Sequence, residues 1–176
     1  MFVYFLRHAN AGQPQLNAKK DEKRALDKDG IEQCGYVGRG LSALGVQADV
    51  IVSSPLKRAT QTAALVGNEM GHEGKLVTDS SLRPEATFAD FQKLLEKHAR
   101  CESILLVGHN PNLSNFLGRV IGGAGGEGAI ELKKGAVAKV EMRRNAGSLS
   151  WCITPRILRT LHAAATESSR PKTSRK

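Results

Sequence analysis

The chain has 176 residues, 40% of them apolar and 5% aromatic, enough for one domain around a single core. No apolar run approaches the ~20 residues that span a bilayer, and the opening Met1-Phe2-Val3-Tyr4-Phe5-Leu6 lacks the features of a secretory signal, so a cytoplasmic protein with no membrane partner is expected. Part of the formal charge of +9 lies in Ser168-Ser169-Arg170-Pro171-Lys172-Thr173-Ser174-Arg175-Lys176 and the other basic residues are scattered, a pattern that favours an enzyme for anionic substrates with a solvated basic tail over a nucleic-acid-binding protein.

Residues 2–6 read as a short buried strand. Residues 10–28 are polar, with Gly12 and Pro14, and begin as a loop. Ile31, Cys34, Val37, Leu41 and Leu44 recur at three- and four-residue steps and predict a helix that Gly45 ends. Residues 49–53 predict a second strand, and Pro55 suits the first turn of a helix carrying Arg58, Thr62, Leu65 and Val66. A minor strand follows at 75–78. Thr87 is placed to cap a helix over 88–98 with Phe88, Phe91, Leu94 and Leu95. Residues 103–108 predict a third buried strand, followed by His109-Asn110-Pro111 and a helix over 112–120. The glycine-rich 122–128 stretch lacks the lysine and helix start of a nucleotide loop and reads as a flexible connection. Residues 136–142 and 148–153 predict a strand pair around Asn145-Ala146-Gly147. This alternation predicts an α/β fold: a three-layer α/β/α sandwich with a mostly parallel central sheet, one domain over 1–162 and a basic tail over 163–176.

Cys34, Cys101 and Cys152 have no metal-site or redox-motif spacing and read as reduced, mostly buried thiols. Three polar clusters each follow a strand: Arg7-His8, Ser53-Ser54-Pro55-Leu56-Lys57-Arg58-Ala59, and Gly108-His109-Asn110-Pro111. Ligand sites in open α/β sheets form beyond the carboxyl ends of strands, so the three can converge on one crevice. Their shared chemistry is phosphoryl transfer. An imidazole attacks phosphorus, arginine forks hold the phosphoryl oxygens, and a second histidine donates to them. Taken singly, each residue has a plainer reading: His8 a structural histidine, Arg58 a solvated helix residue, His109 a turn residue. The three clusters together outweigh it. Asn10 either holds the phosphate or shapes the turn. His72, His98 and His162 have no supporting context and read as surface residues.

Leu6-Arg7-His8-Ala9 resembles the Arg-His-Gly signature of the histidine phosphatase superfamily, which includes the phosphoglycerate mutases. Ser54-Pro55-Leu56-Lys57-Arg58-Ala59-Thr60-Gln61-Thr62-Ala63 is similar to its second arginine motif, and Val107-Gly108-His109-Asn110-Pro111 to its second histidine motif. The short chain, the His-Asn-Pro wording and the ending Leu149-Ser150-Trp151-Cys152-Ile153-Thr154-Pro155 look most like the small SixA-type phosphohistidine phosphatases, with similarity from Phe2 to about Leu158.

The resemblance implies a phosphoglycerate mutase-like fold. It implies His8 as nucleophile, Arg7, Arg58 and His109 as the phosphate pocket, no cofactor and no metal. It points to a phosphorylated substrate, first of all a phosphohistidine-bearing protein. Small phosphorylated metabolites, or phosphate binding without catalysis, are the alternatives. Ala9 replaces the signature glycine, which would be costly if that backbone had φ > 0. Glu85, between the second and third clusters, is the candidate general acid, or else an exposed loop carboxylate. Because His8 must be neutral to attack, activity is expected to fall at acidic pH.

Overall fold

Val3 and Phe5 bury on one face of β1 (Phe2–Arg7), and Tyr4 and Leu6 on the other. A strand covered on both faces needs this two-sided burial. The same split divides Val50 and Val52 from Ile51 in β2 (Val50–Ser53), and Ile104 and Leu106 from Leu105 and Val107 in β4 (Ser103–Gly108). The structure, a computed structural model, describes residues 1–144 and 146–168. With β3 (Lys75–Thr78), β5 (Val137–Arg143) and β6 (Ala146–Ile153), the strands form one sheet in the order β3-β2-β4-β1-β5-β6. β3, β2, β4 and β1 are parallel, and the β5–β6 hairpin adds antiparallel to β1.

Helices α2 (Lys28–Ala43) and α3 (Lys57–Glu69) cover one face through Cys34, Val37, Leu41, Ala59, Ala63 and Val66. Helices α4 (Phe88–Lys97) and α5 (Asn112–Gly122) cover the other through Phe91, Leu94, Leu113, Phe116 and Leu117. This is the expected three-layer α/β/α sandwich. Thr87 caps α4 with a reciprocal box to Asp90.

Several elements depart from the periodicity. Ile31 and Leu44, expected on the buried face of α2, are about half exposed. Pro55 precedes α3, whose N-cap is Leu56. A short helix, α1 (Ala18–Glu22), lies inside the stretch expected to begin as a loop; Asn17 caps it by accepting from Lys20 N. A last helix, α6 (Pro155–Ser168), continues past the expected boundary at 162, and only 169–176 of the expected tail lie outside the described residues, as does Asn145 of the expected turn. Leu158 of α6 packs beside Gly40 of α2. The three cysteines are free, but Cys152 is exposed rather than buried. His162 is exposed and His72 and His98 partly so, with His98 Nε2 shielded from solvent.

Two glycines let backbones meet. A Cβ at Gly30 in α2 would stand 1.9 Å from Asn10 O, so only glycine admits the loop after β1. A Cβ at Gly118 in α5 would stand 2.0 Å from Gly126 O, which seats the glycine-rich connection against its helix.

Candidate active site

β1, β2 and β4 are neighbours in the centre of the sheet and run the same way, so their three polar clusters emerge side by side. The structure brings His8, His109, Arg7 and Arg58 together there. The His8 and His109 rings lie 5.0 Å apart at 54°. Both are nearly buried, at 7% and 3% exposure.

His8 Nδ1 meets the Ala9 carbonyl oxygen at 2.7 Å, a contact that fixes the proton on Nδ1 and leaves the lone pair on Nε2. Burial, with Arg58, Arg7 and Arg24 nearby, lowers the His8 pKa to about 3, so the ring is a neutral base over the ordinary pH range. Ala9 costs nothing here. Among the described residues the only non-glycine with positive φ is Arg144, and Ala9 N donates to Thr62 Oγ1 at 3.1 Å.

His109 Nε2 meets Ser54 Oγ at 2.8 Å. The serine hydroxyl also accepts from Leu56 N, and assigning its own proton to Nε2 puts the His109 proton on Nδ1. Burial first, then the charges of His8, Arg58, Arg24 and Arg7, lower the His109 pKa to about 2. Its Nδ1, with Arg7 Nε and Arg58 Nε, is a buried polar atom without a protein partner. Such orphaned donors are rare in folded proteins. Three of the five such atoms among the described residues come one from each cluster, the others being His98 Nε2 and Ser103 Oγ, and they are of the kind that serves an oxyanion.

The arginines are braced by backbone and by one carboxylate. Arg7 Nη1 donates to Leu132 O at 2.8 Å. Arg58 Nη1 donates to Asp21 O at 3.0 Å and to Asp21 Oδ2 at 3.2 Å. Asp21 also accepts from Arg24 Nε at 2.7 Å, while Arg24 Nη1 donates to the carbonyls of Ala11 and Gly12. The hydrogen bond from Arg24 leads the causes that bring the Asp21 carboxyl down to about 2. Asp21, Arg24 and Ser54 are the parts of this site that sequence reasoning missed. Ser54 stood inside a quoted motif, but α1 is too short for periodicity to mark Asp21 or Arg24.

Two expected site residues are engaged in other contacts. Asn10 has its amide committed to the turn: Nδ2 donates to Asp27 Oδ2 at 2.8 Å and Oδ1 accepts from Lys134 Nζ at 2.6 Å. Asp27 also accepts from Gly12 N and caps α2 through Gly30 N. Glu85 is exposed and ion-paired with Arg83, which also holds Glu22 of α1. That hydrogen bond holds the Glu85 carboxyl below its ordinary pKa, the direction opposite to a general acid's need.

Among known proteins, the family model of the histidine phosphatase superfamily (branch 1) matches residues 3–100, a stretch that contains His8 and Arg58. An uncharacterized protein of Picosynechococcus sp. is 31% identical over 140 residues, 78% of this chain and 82% of that protein. A 2,3-bisphosphoglycerate-dependent phosphoglycerate mutase of Methylorubrum populi is 33% identical over 96 residues, 52% of this chain and 45% of the mutase. Among solved structures, the protein histidine phosphatase SixA complexed with tungstate superposes with a TM-score of 0.78 at 22% identity, covering 90% of this chain and 99% of that one. The putative phosphohistidine phosphatase SixA from Agrobacterium tumefaciens gives 0.75 at 23%, covering 88% and 97%. At these identities the two superpositions establish the fold.

Proposed function

The chain belongs to the histidine phosphatase superfamily, and from that premise we propose that it is a metal-independent phosphohistidine phosphatase of SixA type, working through a phosphoryl group carried on His8. The observation that carries this reading is the His8 hydrogen bond to the Ala9 carbonyl, which leaves the lone pair of a neutral ring on Nε2, with the His109 ring 5.0 Å away.

His8 Nε2 attacks phosphorus as the bond to the leaving nitrogen breaks, and that nitrogen keeps the bonding pair. Arg7, Arg58 and the Nδ1 proton of His109 hold the phosphoryl oxygens, so charge is met without a metal. Water then adds to phosphorus, the bond to Nε2 breaks, and phosphate departs with the water's oxygen. Asn10 shapes the loop rather than gripping substrate.

The leaving group supports phosphohistidine over an alkyl ester. An imidazole protonated on its other nitrogen leaves neutral and needs no acid, whereas an alkoxide needs a proton. Glu85, tied to Arg83 and held ionised, supplies none in this reading. The test is turnover of a phosphohistidine-bearing protein against a panel of small phosphate esters, with wild type and His8→Ala. Turnover of phosphohistidine that vanishes in the variant is expected. Turnover of small esters alone would keep the nucleophile and replace the substrate class. No turnover of either would sink the reading.

A further inference from the structure

At Ala9 the chain leaves the sheet. β1 ends at Arg7, and His8 N still reaches Gly108 O of β4 at 3.0 Å. The next two backbone N–H groups have no strand to donate to, although Ala9 is only 1% exposed. A buried N–H without a partner is costly, and two side chains supply the partners. Ala9 N donates to Thr62 Oγ1 at 3.1 Å, and Asn10 N donates to Gln33 Oε1 at 2.9 Å. Thr62 lies in α3 and Gln33 in α2, helices that pack side by side and are joined by the Arg39–Glu69 ion pair.

These contacts do more than satisfy donors. Ala9 C=O and Asn10 N–H are the two ends of one planar peptide. The oxygen end meets His8 Nδ1 at 2.7 Å, and the nitrogen end is held by Gln33. Turning that plane would carry the oxygen away from the imidazole. Donation to Gln33 also polarises the amide and strengthens its oxygen as an acceptor. Thr62 acts on the preceding peptide. Its hydroxyl accepts from Ala9 N and donates to Arg58 O at 2.7 Å, so one buried group ties the backbone after His8 to the backbone of Arg58.

We propose that Thr62 and Gln33 are positioning residues that clamp the backbone on both sides of Ala9, so that its carbonyl holds the His8 proton on Nδ1 and leaves Nε2 free to attack. This rests on the phosphatase reading above and names the residues that set its nucleophile. Both act through the backbone rather than on the phosphoryl group. With the clamp broken, the carbonyl turns away and the proton can move to Nε2, the tautomer that cannot attack.

The test reads the His8 tautomer directly, by ring-nitrogen NMR of the full chain carrying isotope-labelled histidine at neutral pH, with His8→Ala giving the assignment. The kcat and KM for a phosphohistidine-bearing protein are measured alongside. Wild type is expected to show His8 protonated on Nδ1. Gln33→Leu and Thr62→Val remove the acceptor oxygen at nearly constant size. Each is expected to show a share of the Nε2-protonated form and to lose kcat by about tenfold or more, with KM within about twofold. Thr62→Ser and Gln33→Glu keep an acceptor oxygen and are expected to restore the tautomer and most of kcat. Thr87→Ala weakens the α4 cap instead and is expected to change neither readout.

An unchanged tautomer in Gln33→Leu and Thr62→Val would overturn the clamp and leave the phosphatase reading in place. Failure of both conservative variants to recover would overturn it too. Should Thr62→Val not fold, Gln33→Leu decides the matter on the same criteria, since Gln33 is only half-buried. A wild-type His8 protonated on Nε2 would overturn the clamp and the nucleophile together. Wild-type Nδ1 protonation that the variants lose, with no turnover of phosphohistidine by wild type, would uphold the clamp and overturn the substrate.

Discussion

His8 and His109 stay neutral well below the pH at which a free imidazole takes up its proton, because their pocket removes water and adds arginine charge. The expected acid loss of activity is therefore displaced. The kcat/KM profile is predicted to stay level from about pH 8 to pH 5 once substrate ionisation is corrected for, and to fall only as His8 titrates, at about 3. A fall centred at the ordinary imidazole value, about 6.5, would show that His8 is not the buried base described here. Asp21 acts at the same scale through its neighbours. Its carboxylate is shared by Arg58 and Arg24, so Asp21→Ala is predicted to lower kcat/KM by about ten- to a hundredfold, the cost of a loosened positioning group. Asp21→Glu is predicted to recover part of that loss, with melting temperature little changed in either variant. A full loss of folding in Asp21→Ala would instead make the residue structural.

At the scale of elements, the strands and the four long helices packed on the sheet were legible because burial imposes period and length. The three motif clusters were legible because each follows a buried run. Legibility stopped where packing is one-sided or local. Ile31 and Leu44 fit the apolar period of α2, yet the sheet takes up only the stripe through Cys34, Val37 and Leu41. In α6, Leu158 packs while Ile157 and Leu161 stay exposed, so its apolar signal was thin. α1 is held by Asn17 and by ion pairs rather than by apolar contacts, and it has no buried residue. The site's dependence on the β1–α2 contact gives a sharp prediction. Gly30→Ala drives a Cβ into the Asn10 carbonyl, and is predicted to cost about 1–3 kcal/mol in denaturant unfolding, as overpacking does, and to lower activity by shifting the loop that carries His8. Thr87→Ala removes the α4 cap and is predicted to cost about 1 kcal/mol with activity intact. Equal activity losses in the two variants would contradict the separation of scaffold from site.

For the whole molecule, two buried neutral histidines link folding to pH. Unfolding frees each to take up a proton near its ordinary pKa, about 6.5, while the folded values are about 3 for His8 and about 2 for His109. Below 6.5 the unfolded state binds more protons, so stability is complete above that pH and declines as pH falls towards the folded values. Between pH 7 and pH 5 each histidine is predicted to remove about 2 kcal/mol, measurable by urea unfolding, and His8→Gln is predicted to remove its share of that slope. An unchanged slope in the variant would refute burial of a neutral His8. Among the described residues no helix is long and apolar enough to cross a membrane. The arrangement thus places two buried, neutral histidines among arginines at the carboxyl ends of three adjacent strands. Its central claim is that phosphorus bonds to His8. The most direct measurement is rapid acid-free quenching of wild type during turnover of a phosphohistidine substrate, followed by peptide mass analysis. The account predicts a phosphoryl group on the peptide containing His8, formed and lost at rates that support turnover and absent from His8→Ala. A phosphoryl group on another residue, or undiminished turnover by His8→Ala, would contradict it.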